Sequence, residues 1–216
     1  MASDENGRFT DRTDAGRQLG AALADRDIDA DVVLAIPRGG LPLGRAVADA
    51  LDAPLDIVVA SKIGAPGNPE FAIGAVASDG SVWLDEETIQ QLGVGDEYID
   101  REREREAEAA RKKADRYRGD RTPPDLTGKT VVVVDDGAAT GSTAVAALRL
   151  VREQGAGRVV LGLPVAPPDT VADLEEAADE VVCLRTPANF HAVGAFYDRF
   201  DQVTDEEAMA YLDEGS

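Results

Sequence analysis

The densest chemistry in the chain lies in Val131-Val132-Val133-Val134-Asp135-Asp136-Gly137-Ala138-Ala139-Thr140-Gly141-Ser142-Thr143. Four apolar residues deliver two adjacent carboxylates, a run of small residues follows, and hydroxyl side chains lead into a helical pattern. Gly137 and Gly141 let the backbone turn tightly and approach a ligand closely. Successive backbone N–H groups, with the hydroxyls of Thr140, Ser142 and Thr143, suit an anion-binding nest. A helix starting near Ser142 adds its dipole to the attraction for a phosphate. Asp135 and Asp136 would repel that phosphate, so they must face vicinal hydroxyls or a cation. A sugar phosphate meets both demands at once. The segment is not a Walker A loop, because no lysine follows Gly141 and the glycine spacing differs. It also lacks the three-glycine dinucleotide fingerprint.

Short β-branched runs that end in glycine, proline or acidic residues predict the strands that hold this loop: Asp31 to Ile36, Leu55 to Ala60, Thr130 to Val134, Arg158 to Leu163 and Glu180 to Leu184. Continuous apolar runs of this length suit strands buried on both faces. Helical patterns lie between them at Leu41 to Leu51, Ser142 to Gln154 and Thr170 to Ala178. Their alternation predicts an α/β fold with a doubly wound, mostly parallel sheet. Two segments break the alternation. The glycine- and proline-rich stretch from Lys62 to Trp83 reads as a mobile loop closing into a β-hairpin around Ala72 to Leu84, with Asp79-Gly80 at its turn. The stretch from Asp96 to Arg118 reads as a charged helix with Glu97→Arg101 and Glu108→Lys112 pairs, either a solvated helix or a dimer-facing spacer. Phe196, Tyr197 and Phe200 read as the apolar face of a further helix. Thr204 to Leu212 reads as a capped terminal helix.

The Val131–Thr143 segment resembles the signature of type I phosphoribosyltransferases, which bind 5-phosphoribosyl 1-pyrophosphate (PRPP): four apolar residues, two acids, a short loop, then Thr-Gly-x-Thr. The resemblance implies that Asp135 and Asp136 hold the ribose 2′- and 3′-hydroxyls. It places the 5′-phosphate on Gly137, Ala138, Ala139, Thr140, Gly141, Ser142 and Thr143. Ile36-Pro37-Arg38-Gly39-Gly40 resembles the family's pyrophosphate loop, with Arg38 as the charge and Gly39 and Gly40 as the close approach. It implies a cis peptide near Pro37-Arg38; the bare alternative is a plain strand-to-helix turn. Ser61-Lys62-Ile63-Gly64-Ala65-Pro66-Gly67 resembles the start of the catalytic loop in the adenine and orotate branches, although Ser61 stands where a basic residue is usual. Lys62 would neutralise the departing pyrophosphate, in its own or a partner subunit's site.

Ala139 stands where the 6-oxopurine branch places a carboxylate, so a general base would come from elsewhere. Glu70 is the candidate, with a solvated loop acid as the alternative. The family builds its acceptor site from a variable hood, expected here from about residues 1–30 and 185–216, with Phe190 stacking on a base and His191 hydrogen-bonding it. The resemblance also implies Mg²⁺, held mainly by substrate oxygens and reaching Asp135 and Asp136 through water, and a homodimer.

Composition bounds the rest. A chain of 216 residues fits one phosphoribosyltransferase domain over 1–216. With 42 acidic against 22 basic residues, the formal charge is −20, which disfavours nucleic acid and anionic lipid as partners. An acidic chain poor in lysine suggests a salt-rich, halophilic cytosol. Cys183 is the single cysteine and sits in an apolar run, which reads as a core thiol. The polar start of the chain lacks a signal-peptide core and no stretch has membrane-spanning length, so a cytoplasmic location is expected. Three functions compete: transfer of phosphoribose from PRPP to a nucleobase or related nitrogen acceptor, PRPP sensing without catalysis, and hydrolysis of an activated ribose phosphate. Arg38 and Lys62 favour the transferase, because a sensor needs no machinery to release pyrophosphate.

Overall fold

The computed structural model describes residues 7–119 and 121–213. Five strands, β1 (Val32–Ala35), β2 (Leu55–Ile57), β6 (Thr130–Val134), β7 (Arg158–Val165) and β8 (Glu180–Arg185), form a sheet in the order β2-β1-β6-β7-β8. All four pairings are parallel. Alternate residues of these strands point to opposite faces, so each face needs its own apolar cover. Val33, Ala35, Val132 and Val134 pack with helices α1 (Arg12–Ala24), α2 (Gly40–Leu51) and α7 (Asp205–Asp213). Val32, Leu34, Val131 and Val133 pack with α5 (Ser142–Glu153) and α6 (Pro168–Glu175). The expected α/β sheet is therefore present, with helices on both faces.

Between β2 and β6 the chain builds a second, antiparallel sheet from β3 (Ala60–Ala65), β4 (Asn68–Ala77) and β5 (Val82–Leu84), followed by α3 (Glu86–Leu92) and the long α4 (Asp96–Arg118). The β4–β5 hairpin turns at Asp79-Gly80, as the sequence predicts, and pairs Val76 with Val82. The loop expected from residue 62 onward is instead mostly strand. Pro66 and Gly67 occupy a tight turn, Gly67 at φ 78°, and leave Ser61–Ala65 free to pair with β4. Ile63 and Ile73 are fully buried against Ile89 and Ile99, an apolar anchor that explains why this stretch folds.

Three further expectations need correction. The run Leu55 to Ala60 is two strands in two sheets: β2 ends at Ile57, and Ala60 opens β3. Phe196, Tyr197 and Phe200 do not share a helix. Val193–Phe196 is a single 3₁₀ turn, η1, after which Tyr197 is extended and bridges to Phe9. Gly194 in that turn lies so close to Phe200 that a Cβ there would stand 2.8 Å from the Phe200 ring. Within α4, Glu108 pairs with Lys112 at 2.6 Å, but Arg101 faces Glu102 at 3.4 Å. The helix is not merely solvated, because Ala107, Ala110, Ala114 and Tyr117 form a buried stripe.

Candidate active site

β1 and β6 are neighbours in the sheet, and from them the chain leaves in opposite directions, to β2 on one side and to β7 on the other. In an open α/β sheet such a reversal opens a crevice beyond the carboxyl ends of the two strands. The sequence puts its two glycine-containing loops there: Ile36-Pro37-Arg38-Gly39 after β1, and Asp135 to Gly141 after β6. The loops touch. A Cβ on Gly39 would stand 2.1 Å from Asp136 Oδ2, so glycine is required for this approach. Gly40 packs on the carbonyl of Val134 in the same way, where a Cβ would stand at 2.9 Å. The Pro37–Arg38 peptide is cis, where the resemblance implies one.

Asp135 and Asp136 are half-buried side by side, and the Asp136 N–H donates to Asp135 Oδ1 at 2.8 Å. Burial pushes the Asp135 carboxyl well above the usual carboxylate range, and the charge of Asp136 adds to the shift. Burial also raises Asp136, against an opposing hydrogen bond and charge from Arg12. Arg12 is the residue that sequence reasoning missed. It opens α1, its Nε donates to Asp136 Oδ2 at 2.7 Å, and both side chains are largely buried. Its guanidinium lies 3.8 Å from the centroid of the Phe200 ring and donates to the Asp201 carbonyl at 2.7 Å. Tyr197 Oη donates to the Asp136 carbonyl at 2.6 Å. Burial holds the Tyr197 phenol well above its usual value, so it stays a donor. Arg12, Tyr197 and the Gly39 loop thus fix the acidic pair from more than 60 residues away in sequence, a set of contacts that local spacing cannot reveal.

The β6–α5 loop has the form of a nest. Gly141 takes φ 71° at the N-cap of α5, which has no side-chain cap. The first-turn N–H groups therefore have no side-chain acceptor. Thr140 and Thr143 are exposed, and the Thr140 and Ser142 hydroxyls lie 3.2 Å apart. From below, the Thr170 hydroxyl donates to the Ala139 carbonyl at 2.8 Å and fixes the loop to α6.

Beside Asp136 lies an open cleft of about 780 Å³ lined by residues that include Arg12, Arg38, Lys113, Arg116, Phe200 and Asp205. Arg38 comes from the loop after β1, and Lys113 and Arg116 come from α4. Asp205, in the first turn of α7, accepts from Tyr117 Oη at 2.8 Å and pairs with Arg116 at 2.9 Å and Arg38 at 3.5 Å. The bond from Tyr117 is the main cause of an Asp205 pKa below its ordinary value.

Of the other residues singled out from the sequence, Lys62, Phe190, His191 and Cys183 do not line this cleft. Lys62 is in β3, opposite Ala75. Glu70 falls in β4, and its side chain lies outside the described residues. Phe190 stacks on Phe196 with centroids 5.6 Å apart, and His191 is exposed; Val193 and Phe200 line the cleft in their place. Cys183 is half-buried and donates to the Arg185 carbonyl, and burial raises its thiol pKa. Among the described residues no group of three His, Cys, Asp or Glu side chains converges as a metal cage. No helix among them is long and apolar enough to cross a membrane.

Residues 12–200 match the family described as the phosphoribosyl transferase domain. The chain belongs to that family. The matched region begins at Arg12 and ends at Phe200, and so contains both glycine loops and the arginine–aromatic contact over Asp136. The crystal structure of TT1426 from Thermus thermophilus superposes on this phosphoribosyl transferase domain with a TM-score of 0.90 at 45% identity, covering 97% of this chain and 99% of that one. A candidate phosphoribosyl transferase of Mycobacterium tuberculosis is 45% identical over 205 residues, which is 95% of this chain but 46% of the relative. The chain thus spans about half the length of that curated relative.

Proposed function

We propose that the chain transfers the 5-phosphoribosyl group of PRPP to a nucleobase or related nitrogen acceptor and releases pyrophosphate. The observation that carries this reading is the meeting of the two loops at the sheet's switch point: Asp136 against Gly39, with an uncapped helix start on one side and Arg38 on the other. Asp135 and Asp136 accept hydrogen bonds from the ribose 2′- and 3′-hydroxyls, and residues 137–143 take the 5′-phosphate. Arg38 and the amides of Gly39 and Gly40 take the diphosphate, and Lys62, which does not line this cleft, would serve the diphosphate of a partner subunit's site. In the transfer, the acceptor nitrogen forms a bond to C1 with its lone pair. The C1–O bond breaks, both of its electrons leave on pyrophosphate, and the acceptor's displaced proton passes to water or to a base, for which Glu70 is the candidate.

The transition state has oxocarbenium character, as in other glycosyl transfers. Two carboxylates fixed beneath the ring are suited to stabilise it, and their positions are set before substrate arrives. Asp135 and Asp136 would hold a Mg²⁺ ion through water, and such an ion would supply positive charge to the diphosphate. Phe190 and His191 remain candidates for the acceptor, although neither lines the cleft. The same reading makes residues 1–216 one domain of a cytoplasmic homodimer, and its acidic surface suits a halophilic cell.

The test is pyrophosphate release from PRPP with Mg²⁺ in high salt, across a panel of purines, pyrimidines and related bases. Acceptor-dependent release that falls at least 100-fold in Asp136→Asn supports the transferase, on the scale expected for lost electrostatic stabilisation of about 2.7–4 kcal/mol. PRPP binding by calorimetry with no turnover on any acceptor supports PRPP sensing instead.

A further inference from the structure

The cleft beside Asp136 holds more positive charge than the pyrophosphate loop supplies. Arg38 comes from that loop, but Lys113 and Arg116 come from α4, a helix that the sequence presents as a charged spacer. Lys113 stands one residue before Ala114 of the buried stripe, three before Arg116 and four before Tyr117, so helical spacing places these three on one flank. Its ammonium reaches the loop after β1 and donates to the Pro37 carbonyl at 3.2 Å. Pro37 adjoins Arg38, and Lys113 and Arg38 both line the cleft, one from α4 and the other from the loop itself.

The neighbouring lysine sets the contrast. Lys112 is about three-quarters exposed and pairs with Glu108 at 2.6 Å, the arrangement of an ordinary solvated helix surface. Lys113, one position on, turns its ammonium into a partly buried contact with the loop. Burial lowers its pKa, Asp135 opposes that shift, and the nearby Arg38 adds to it. Two cations held close together in a partly dry cleft repel unless an anion joins them. Asp205 partly meets this need for Arg38 and Arg116, at 3.5 Å and 2.9 Å. The Lys113 ammonium has a backbone carbonyl as its hydrogen-bond partner, and two further donors on it can meet an incoming anion.

We infer that Lys113 is a diphosphate-binding residue: α4 delivers it to the Pro37–Gly39 loop on the cleft wall, where with Arg38 it takes the diphosphate of PRPP and of the released product. This rests on the transferase reading and adds to it a residue that neither the motifs nor the family description assigns. When the C1–O bond breaks, its electron pair stays on the diphosphate, so a cation fixed there binds the product end more strongly than the sugar end.

The experiment measures the dissociation constants of inorganic pyrophosphate (with Mg²⁺) and of ribose 5-phosphate by calorimetry, for wild type, Lys113→Met, Lys113→Arg and Lys112→Met. The expected result is that Lys113→Met weakens pyrophosphate at least 10-fold and ribose 5-phosphate less than twofold, while Lys113→Arg recovers most of the loss. Lys112→Met removes the same formal charge from the same helix and leaves both constants unchanged. Unchanged pyrophosphate affinity in Lys113→Met overturns the inference, and so does equal weakening of both ligands, which would mark a structural role. If Lys113→Met does not fold, Lys113→Arg decides: a preference for pyrophosphate within twofold of wild type supports a charge role, and its loss removes it. Wild-type protein that binds neither PRPP nor pyrophosphate overturns the transferase reading itself, whereas wild type that binds PRPP beside an unaffected Lys113→Met overturns this inference alone.

Discussion

Asp135 shows how a side chain can serve a ligand at the expense of the fold. Its pKa is raised by burial and by Asp136, so the folded chain holds its proton more tightly than the unfolded chain does. The sign follows from linkage. The native state gains from this group at pH values below the unfolded carboxylate value of about 3.9, and the gain is lost as pH rises through the raised native value. At neutral pH this raised value therefore costs the apo protein stability relative to acid pH. Asp135→Asn keeps an oxygen acceptor for the Asp136 N–H and removes the charge. It is expected to raise the thermal midpoint at pH 7–8 by several degrees, with the difference vanishing near pH 3, while PRPP affinity falls. A midpoint lower than wild type at pH 7.5 would contradict this account. The Asp-Asp pair, the hydroxyls after it and both glycine loops were legible in the sequence, because their chemistry is contiguous along the chain. Arg12 and Lys113 were not. In the sequence Arg12 is one more charge in an unassigned stretch and Lys113 one more on a charged helix, until the fold sets each against a loop at least 76 residues away.

At the scale of elements, the strands of the parallel sheet were legible because burial on both faces writes an unbroken apolar run. The second sheet was harder to see. The sequence of β3 and the start of β4 is broken up by Gly64, Pro66, Gly67 and Pro69, and the pairing there owes its stability to isoleucines spread from β3 to α4. Helix α1 was not anticipated as a helix at all, yet it is the element that carries Arg12 to the site. It lies close on α2 because Gly16 and Gly20 face that helix: a Cβ on Gly16 would stand 2.5 Å from the Leu43 carbonyl, and one on Gly20 would stand 2.6 Å from Ala50 Cβ. Gly16→Ala must push the two helices apart. The expected cost is about 1–3 kcal/mol in chemical denaturation, the usual range for an overpacked contact. Because α1 moves as a unit, the same variant is expected to weaken PRPP binding through the displaced Arg12. A stable variant with full PRPP affinity would show that α1 can shift without disturbing Asp136.

For the whole molecule, the formal charge of −20 and a cleft lined by Arg12, Arg38, Lys113 and Arg116 set up two opposing fields. Far from the surface an approaching polyanion meets the net negative charge; close to the cleft it meets four cations against the two carboxylates, Asp136 and Asp205, that share the lining. The distance at which one field gives way to the other depends on the Debye length, about 30 Å at 0.01 M salt and about 8 Å at 0.15 M. Enzymes whose surface and site share one sign attract ligand most quickly in dilute buffer. Here the order is expected to reverse. In stopped-flow measurements the bimolecular capture rate for PRPP should rise as salt is added from about 0.01 M, pass through a maximum once the outer field is screened, and fall only when the cleft itself is screened. A rate that falls monotonically from the lowest salt would mean that the cleft's field already dominates at long range. The charge distribution thus acts as a kinetic filter: dilute conditions slow the encounter, and the ions that screen the surface are what open the way in.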